Sequence, residues 1–127
     1  MAKILLVDDD PVLTDELRTT LESRDHAVTT APNGVAGLDQ FDKSRFDFVI
    51  SDIIMPDMEG IGMMLEMRRR RPGVKIVMMS GGGLLGRDEF LHAAGKLGAA
   101  ATLRKPIDPD ELLRLIDERL APEIVNG

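Results

Sequence analysis

The chain has 127 residues, of which 43% are hydrophobic and 30% are charged, as is typical of one globular domain with its own core. It contains no cysteine, which excludes disulfide frameworks, thiol nucleophiles and thiolate metal sites and favours a cytoplasmic setting. The net charge of −6 disfavours binding to nucleic acid or to an anionic membrane, and no apolar run is long enough to span a bilayer. The small partner expected for such a chain is a cation.

Five strand-length apolar runs follow one another along the chain and predict five β-strands. They cover residues 4–7, 27–30, 46–50, 74–79 and 99–103. Three of these runs are apolar almost throughout, which is typical of parallel strands buried on both faces.

The segments between the runs have helical spacing. The first helix is expected to begin at Pro11 with Asp10 as its N-cap, the second to cover 33–43 and the third 60–71. The fourth follows the glycine cluster at 81–86, and the fifth begins at Pro109 with Asp108 as its N-cap. The residues expected on the buried faces are Leu13, Leu17, Leu21, Val35, Leu38, Phe41, Phe90, Ala94, Leu97, Leu112, Leu113, Ile116 and Leu120. Strand and helix alternate five times, which predicts an α/β fold with an open parallel sheet between two helix layers.

Polar residues follow the predicted strands and are expected to meet at one edge of the sheet. Asp8 and Asp9 follow the first run, Asp52 the third, Ser80 the fourth and Lys105 the fifth. Two carboxylates at 4 Å repel each other by roughly 4 kcal/mol at an effective dielectric near 20. A divalent cation with hard oxygen ligands offsets this repulsion, so we expect Mg²⁺, with Mn²⁺ able to substitute.

Each of these residues also has a simpler structural interpretation. A lone Asp52 is a turn former, Ser80 a helix cap and Lys105 a solvated surface lysine. Together they suit phosphorus chemistry, because a carboxylate attacks phosphorus when nearby cations neutralise the transferring group. A cis bond between Lys105 and Pro106 would aim the lysine inward.

This set of residues resembles the receiver domain of bacterial two-component response regulators. The resemblance rests on Asp8 and Asp9 after a hydrophobic strand, Asp52 within FVISDIIMPDMEG, Ser80 closing IVMMSG, and Lys105 after GAAATLR. It covers about residues 2–120 and implies the flavodoxin-like (βα)5 fold with strand order 2-1-3-4-5. It also implies a receiver over 1–121 and a short tail over 122–127 with no output domain, so that the signal passes to a separate target protein.

The resemblance further implies the chemistry of the site. Asp52 is then the phosphoacceptor for a histidine kinase or a histidine phosphotransfer protein. Mg²⁺ is held by Asp9, Asp52 and the backbone carbonyl of Ile54, with help from Asp8. The protein itself is expected to be a monomer or weak dimer, and a phosphoacceptor rather than an enzyme acting on other molecules.

The resemblance also implies that Lys105 contacts the phosphoryl group and that Ser80 moves to bind it. It implies that this shift is read on the face formed by the fourth helix, fifth strand and fifth helix. Thr102 stands where receivers often carry Tyr or Phe, so an aromatic rotamer switch is absent. The expected output is therefore a reordering of residues 81–90, which are rich in glycine.

Two other functions remain open. One is a haloacid-dehalogenase-like phosphatase with Asp8 as nucleophile and Asp10 as acid/base, an interpretation that leaves Asp52 unexplained. The other is a non-phosphorylated pseudo-receiver that acts only as a binding scaffold. The GxGxxG spacing at 81–86 follows the fourth strand rather than the first, so it does not indicate a dinucleotide site. The arginines at 68–71 are expected to stabilise a helix C-terminus.

Overall fold

Five strands and five helices alternate along the chain in the computed structural model, which describes residues 1–53, 60–80 and 87–120. The strands are β1 (Lys3–Val7), β2 (Ala27–Ala31), β3 (Phe48–Asp52), β4 (Lys75–Ser80) and β5 (Ala101–Arg104). The helices are α1 (Pro11–Glu22), α2 (Gly34–Lys43), α3 (Gly60–Arg70), α4 (Arg87–Lys96) and α5 (Pro109–Leu120). In this described part of the chain, no helix has the length and apolar character needed to cross a membrane.

The five strands form one sheet, and every neighbouring pair is parallel. Their order is β2-β1-β3-β4-β5, which confirms the predicted flavodoxin-like fold and strand order. In the register of the sheet, Val7 lies opposite Ser51 and Asp52 opposite Met79. The carboxyl ends of β1, β3 and β4 therefore lie side by side at one edge.

Alternate residues of the central strands supply two hydrophobic cores, one on each face of the sheet. On one face, Leu5 and Val49 pack with the α3 methionines Met63, Met64 and Met67, which are all fully buried. These three methionines of α3 are thus core packing residues. On the other face, residues of β1 and β3 pack against α1 and α5, and this core includes Leu6, Ile50, Leu17, Leu21, Leu112 and Ile116. Each fully buried side chain of this kind contributes about 1.5–3 kcal/mol to stability.

Side-chain caps define where the helices begin. Asp10 Oδ1 accepts hydrogen bonds from the backbone N–H groups of Val12 (3.0 Å) and Leu13 (3.3 Å), as predicted for the N-cap of α1. Asn33 caps α2 rather than beginning it. Asp108 accepts a hydrogen bond of 3.0 Å from the backbone N–H of Asp110 at the start of α5. The residue that immediately precedes each of these three helices thus has a short polar side chain.

Two buried positions were wrongly predicted. Val35 is 56% exposed, because the inner face of α2 is formed instead by Gly34, Gly37 and Phe41. A glycine here lets α2 approach β1 closely, since a Cβ on Gly37 would lie only 3.1 Å from Val7 Cγ2. Leu97 is 42% exposed because α4 ends one residue before it. The side chains of residues 90 and 120, also predicted to be buried, lie outside the described set.

The predicted boundaries of some strands also shift by one or two residues. Strand β3 begins at Phe48 rather than at position 46, although Phe46 is only 5% exposed and contributes to the core. At the other end, β3 includes Asp52 and β4 includes Ser80, so each polar residue is the last one of its strand rather than the first one after it.

A hydrogen bond connects α3 to the end of α4. Arg68 Nη1 donates a hydrogen bond of 2.6 Å to the carbonyl of Leu97. The next residue, Gly98, has φ +109°, a conformation that side chains rarely adopt, and a Cβ there would collide with the Arg68 guanidinium. The end of α4 therefore depends on an arginine from α3 and on the absence of a side chain at Gly98.

Candidate functional site

Three carboxylates meet at the carboxyl edge of the sheet. Asp8 and Asp9 follow β1, and Asp52 ends the adjacent strand β3. One carboxylate oxygen from each of the three lies within 4.8 Å of the other two. Asp8 and Asp52 are buried at 3% and 8% exposure, whereas Asp9 is exposed. The pairing of β1 with β3 thus brings together acids that are more than forty positions apart in the chain.

Asp8 is fixed by the backbone on both sides. Its Oδ1 accepts a hydrogen bond of 2.9 Å from the N–H of Asp10, and its own N–H donates to the carbonyl of Ala31 at 3.1 Å. The Asp10 carboxylate is used to cap α1. The third acid of the run therefore has a structural role, as its sequence context predicted, and Asp8 and Asp9 remain for the cluster.

Lys105 contacts both buried acids. Its Nζ lies 2.8 Å from Asp8 Oδ2 and 3.2 Å from Asp52 Oδ2, and its side chain is 17% exposed. Burial alone would lower the pKa of Lys105, but the hydrogen bond to Asp8 and the negative charge of Asp52 act in the opposite direction and raise the pKa above its ordinary value. The amine is therefore a cation at neutral pH. The bond between Lys105 and Pro106 is cis.

Ser80 lies at the same edge as the last residue of β4. It is 2% exposed, and its carbonyl accepts a hydrogen bond of 2.9 Å from the backbone N–H of Lys105. Thr102 lies opposite Met78 in β5 and is exposed. Ser80 thus lies at the same edge of the sheet as the three acids, whereas Thr102 lies two residues before the end of the neighbouring strand β5. Position 54 and the glycine cluster at 81–86 lie outside the described residues.

Two residues that the sequence interpretation missed hold the backbone at Asp52. Ser51 Oγ donates a hydrogen bond of 2.9 Å to the carbonyl of Asp52. Gly60, the first residue of α3, donates its N–H to the carbonyl of Ile53 at 2.6 Å. A Cβ on Gly60 would collide with the Asp52 carbonyl and lie 2.8 Å from Met78 Cε. A glycine at the start of a predicted helix was the available signal for this close approach.

The donor set suits a hard divalent cation. The three side chains offer only carboxylate oxygens, the ligands preferred by Mg²⁺, and the exposed Asp9 leaves one side of the group open to solvent. Within the cluster formed with Lys105, three carboxyl groups lie around a single ammonium, so acidic groups outnumber the basic one. A cavity of about 260 Å³ opens beside Asp8 and Asp9 and is lined on its other side by Thr14 and Arg18 of α1. The three carboxylates can therefore hold a cation at the open side of the group, beside this cavity.

Comparisons with known proteins agree with this geometry. The family model of the response regulator receiver domain matches residues 4–117. The chain is 35% identical over 119 residues to the transcriptional regulatory protein GlrR of Escherichia coli, and the match covers 94% of this chain but only 26% of GlrR. It is 28% identical to the chemotaxis protein CheY of Listeria monocytogenes, with 93% of this chain and 98% of that protein covered.

A solved structure gives the same result for the fold. A CheY-like response regulator receiver domain protein from Methanospirillum hungatei has a TM-score of 0.83 at 34% sequence identity, with 94% of this chain and 93% of that chain covered. The region that the family model matches includes Asp8, Asp9, Asp52, Ser80 and Lys105. This chain is therefore a member of the receiver domain family of two-component response regulators.

Proposed function

We propose that Asp52 accepts a phosphoryl group from a phosphohistidine of a histidine kinase or of a histidine phosphotransfer protein. Receiver domains act as phosphoacceptors in signalling rather than as conventional enzymes. The observation that supports the proposal is the position of the Asp52 carboxylate, which is nearly buried at the end of β3, 3.2 Å from Lys105 Nζ and beside two further acids. A carboxylate with only a structural role does not need a lysine and two further acids around it.

The transfer itself is a displacement at phosphorus. An oxygen of Asp52 forms a bond to phosphorus while the bond between phosphorus and the donor imidazole nitrogen breaks. That nitrogen keeps the electron pair and takes a proton from solvent, and Asp52 becomes an acyl phosphate. Lys105, which is charged at neutral pH, lies where it can neutralise part of the negative charge on the transferred group.

We assign the metal ligands of the site to Asp8, Asp9 and Asp52, together with the backbone carbonyl of Ile54. Receiver domains bind Mg²⁺ at their acidic pocket, and the three carboxylates here offer the matching oxygen donors. When bound, the cation offsets the negative charge of the carboxylates and of the phosphoryl oxygens. Both oxygens of Asp8 are held in place, one by the Asp10 N–H and the other by Lys105.

Ser80 is the residue proposed to read the phosphorylated state. Its hydroxyl lies at the end of β4, next to β3, where it can donate a hydrogen bond to a phosphoryl oxygen on Asp52. The Ser80 carbonyl is bonded to the Lys105 N–H, so a shift of Ser80 is transmitted to the end of β5. The surface of α4, β5 and α5 then changes for a separate target protein.

On that surface Thr102 stands where receivers often carry an aromatic residue. We therefore still predict that the output works through a reordering of residues 81–90. We propose that the receiver domain covers residues 1–121. Positions 81–86 and the tail lie outside the described residues.

The decisive experiment is phosphorylation with a small phosphodonor. The protein incubated with Mg²⁺ and acetyl phosphate should gain the mass of one phosphoryl group, and the gain should disappear with EDTA or in Asp52→Asn. The matched control is Asp10→Asn, which removes a neighbouring carboxylate but retains the helix cap, and it should still be phosphorylated. Labelling at Asp8 that survives Asp52→Asn would favour the phosphatase interpretation. No adduct with any donor would favour the pseudo-receiver scaffold.

A further inference from the structure

A second charged groove lies at the opposite end of the sheet from the acidic cluster. It has a volume of about 510 Å³ and is formed where β3 and β4 begin and α3 ends. Four cationic side chains line it, Arg45, Arg70, Arg71 and Lys75, against the single acid Asp47. A local excess of positive charge in a domain with a net charge of −6 does not follow from composition and requires its own account.

Arg71 is held rigidly in this groove by groups without charge. Its Nη1 donates to the carbonyl of Ser44 at 2.9 Å and its Nη2 to the carbonyl of Phe41 at 2.7 Å. Its Cζ lies 4.3 Å from the centre of the Phe41 ring. Among the described residues, no carboxylate forms an ion pair with Arg71. The guanidinium is therefore preorganised, retains its full charge and has N–H donors left for a ligand.

The other charges of the groove differ in how far they are neutralised. Arg70 is paired with Asp42 and also with Glu66. Asp47 is turned towards β1, because its Oδ2 accepts a hydrogen bond of 2.8 Å from the N–H of Lys3. Arg45 is exposed to solvent and lines the groove. The ion pairs thus account for Arg70 but leave the charge of Arg71 and Arg45 available.

Compensation of a helix dipole explains only part of this charge. Arg70 is the last residue of α3 and Arg71 follows it, so both favour the C-terminus of that helix. Arg45 lies in the segment that leads into β3, and Lys75 is the first residue of β4. Cations from two segments of the chain, 45–47 and 70–75, therefore meet in one groove, and this convergence points to a bound anion.

We propose that this groove binds a small organic phosphate. Each Nη of Arg71 keeps a second N–H besides the one that donates to a backbone carbonyl, and these remaining donors suit phosphate oxygens. Arg45 supplies a second positive charge. Pro72 and Val74 line the same groove and offer apolar surface for the organic part of the ligand. A volume of about 510 Å³ lies within the usual range of small-molecule sites. This site is separate from the proposed phosphoacceptor and does not depend on it.

The test uses phenyl phosphate as the probe and the full chain in EDTA at constant ionic strength, so that the acidic cluster holds no metal. Amide and arginine Nε–H signals of ¹⁵N-labelled protein should shift saturably at Arg71, Gly73 and Val74. Arg45→Gln should weaken binding about threefold, as expected for one exposed charge contact. Asp47→Asn keeps an oxygen for the Lys3 N–H but removes the negative charge, so it should tighten binding by a similar factor. Inorganic phosphate should shift the same signals with a lower affinity.

The matched control is Arg24→Gln, an exposed arginine in the turn after α1, which should leave the affinity unchanged. Shifts that do not saturate, or that spread equally to Arg24, would overturn the site. An affinity for Arg45→Gln equal to that of the wild type would do the same. If inorganic phosphate binds as tightly as phenyl phosphate, the assignment of an organic part is wrong.

Discussion

Replacing Lys105 by glutamine should destabilise the metal-free protein because it leaves two buried carboxylates without their shared cation. Oxygens of Asp8 and Asp52 lie within 4.8 Å of each other. At an effective dielectric near 20, two unit charges at that distance repel by about 3.5 kcal/mol. A glutamine side chain donates a hydrogen bond to one of them but neutralises neither. We expect a loss of about 3 kcal/mol in the free energy of unfolding, in the range found when one partner of a buried ion pair is removed.

The measurement is urea unfolding at pH 7 in EDTA, with a matched control on the surface. Lys43 forms an ion pair of similar length, 2.9 Å to Asp39, but both side chains are more than 60% exposed. Lys43→Gln should therefore cost less than about 0.5 kcal/mol. In an Asp52→Asn background, the cost of Lys105→Gln should fall to about half, because one of the two repelling charges has been removed.

The pH dependence has a defined sign. The pKa of Lys105 is raised in the folded state, so its contribution to stability is complete at neutral pH and is lost only as the pH rises beyond the ordinary range of lysine. The reasoning would be refuted if Lys105→Gln cost no more than Lys43→Gln, or if its cost were the same with and without the Asp52 charge.

Three further predictions concern stability and ionisation. Gly60→Ala should destabilise by about 2–3 kcal/mol because its Cβ meets backbone, whereas Gly62→Ala on the same helix, with open space at that position, should be neutral or stabilising in thermal unfolding. Asp10→Ala should cost about 1 kcal/mol in urea unfolding through loss of the α1 cap, and replacement by serine should restore most of it. The hydrogen bond from Arg69 is the main cause that lowers the pKa of Glu66 from 4.5 to about 2, so any stability from Glu66 is present above pH 4.5 and is lost as the pH falls towards 2. A carboxyl-carbon NMR titration of Glu66 with a midpoint near 4.5 would contradict this.

The sequence predicted the convergence of the site because the topology of a parallel sheet determines it. Once five apolar runs alternate with helices, the carboxyl ends of the strands share one edge, and the placement of Asp8, Asp52 and Lys105 follows. The distances between these charged side chains depend on packing and could not be predicted from the spacing of the residues in the sequence.

The residues that were missed or misplaced depend on distances between chain segments. Gly60 matters because α3 approaches the backbone of β3, and Val35 is exposed because Gly37 packs on the inner face of its helix. Hydrophobicity alone assigns Val35 to the core and says nothing about a glycine. The limits of β3 were displaced for a related reason, since Phe46 is buried without belonging to the strand.

The contact between Arg68 and the end of α4 limits the order in which the two positions can change during evolution. A side chain at Gly98 meets both an unfavourable φ and the guanidinium of Arg68, so its replacement is costly while the arginine is present. Shortening Arg68 first removes the collision and makes a residue such as asparagine, which tolerates positive φ, more acceptable at position 98. The effects of substitutions at these two positions should therefore be non-additive, and an arginine at position 68 should accompany glycine at position 98 in related chains that share this helix end.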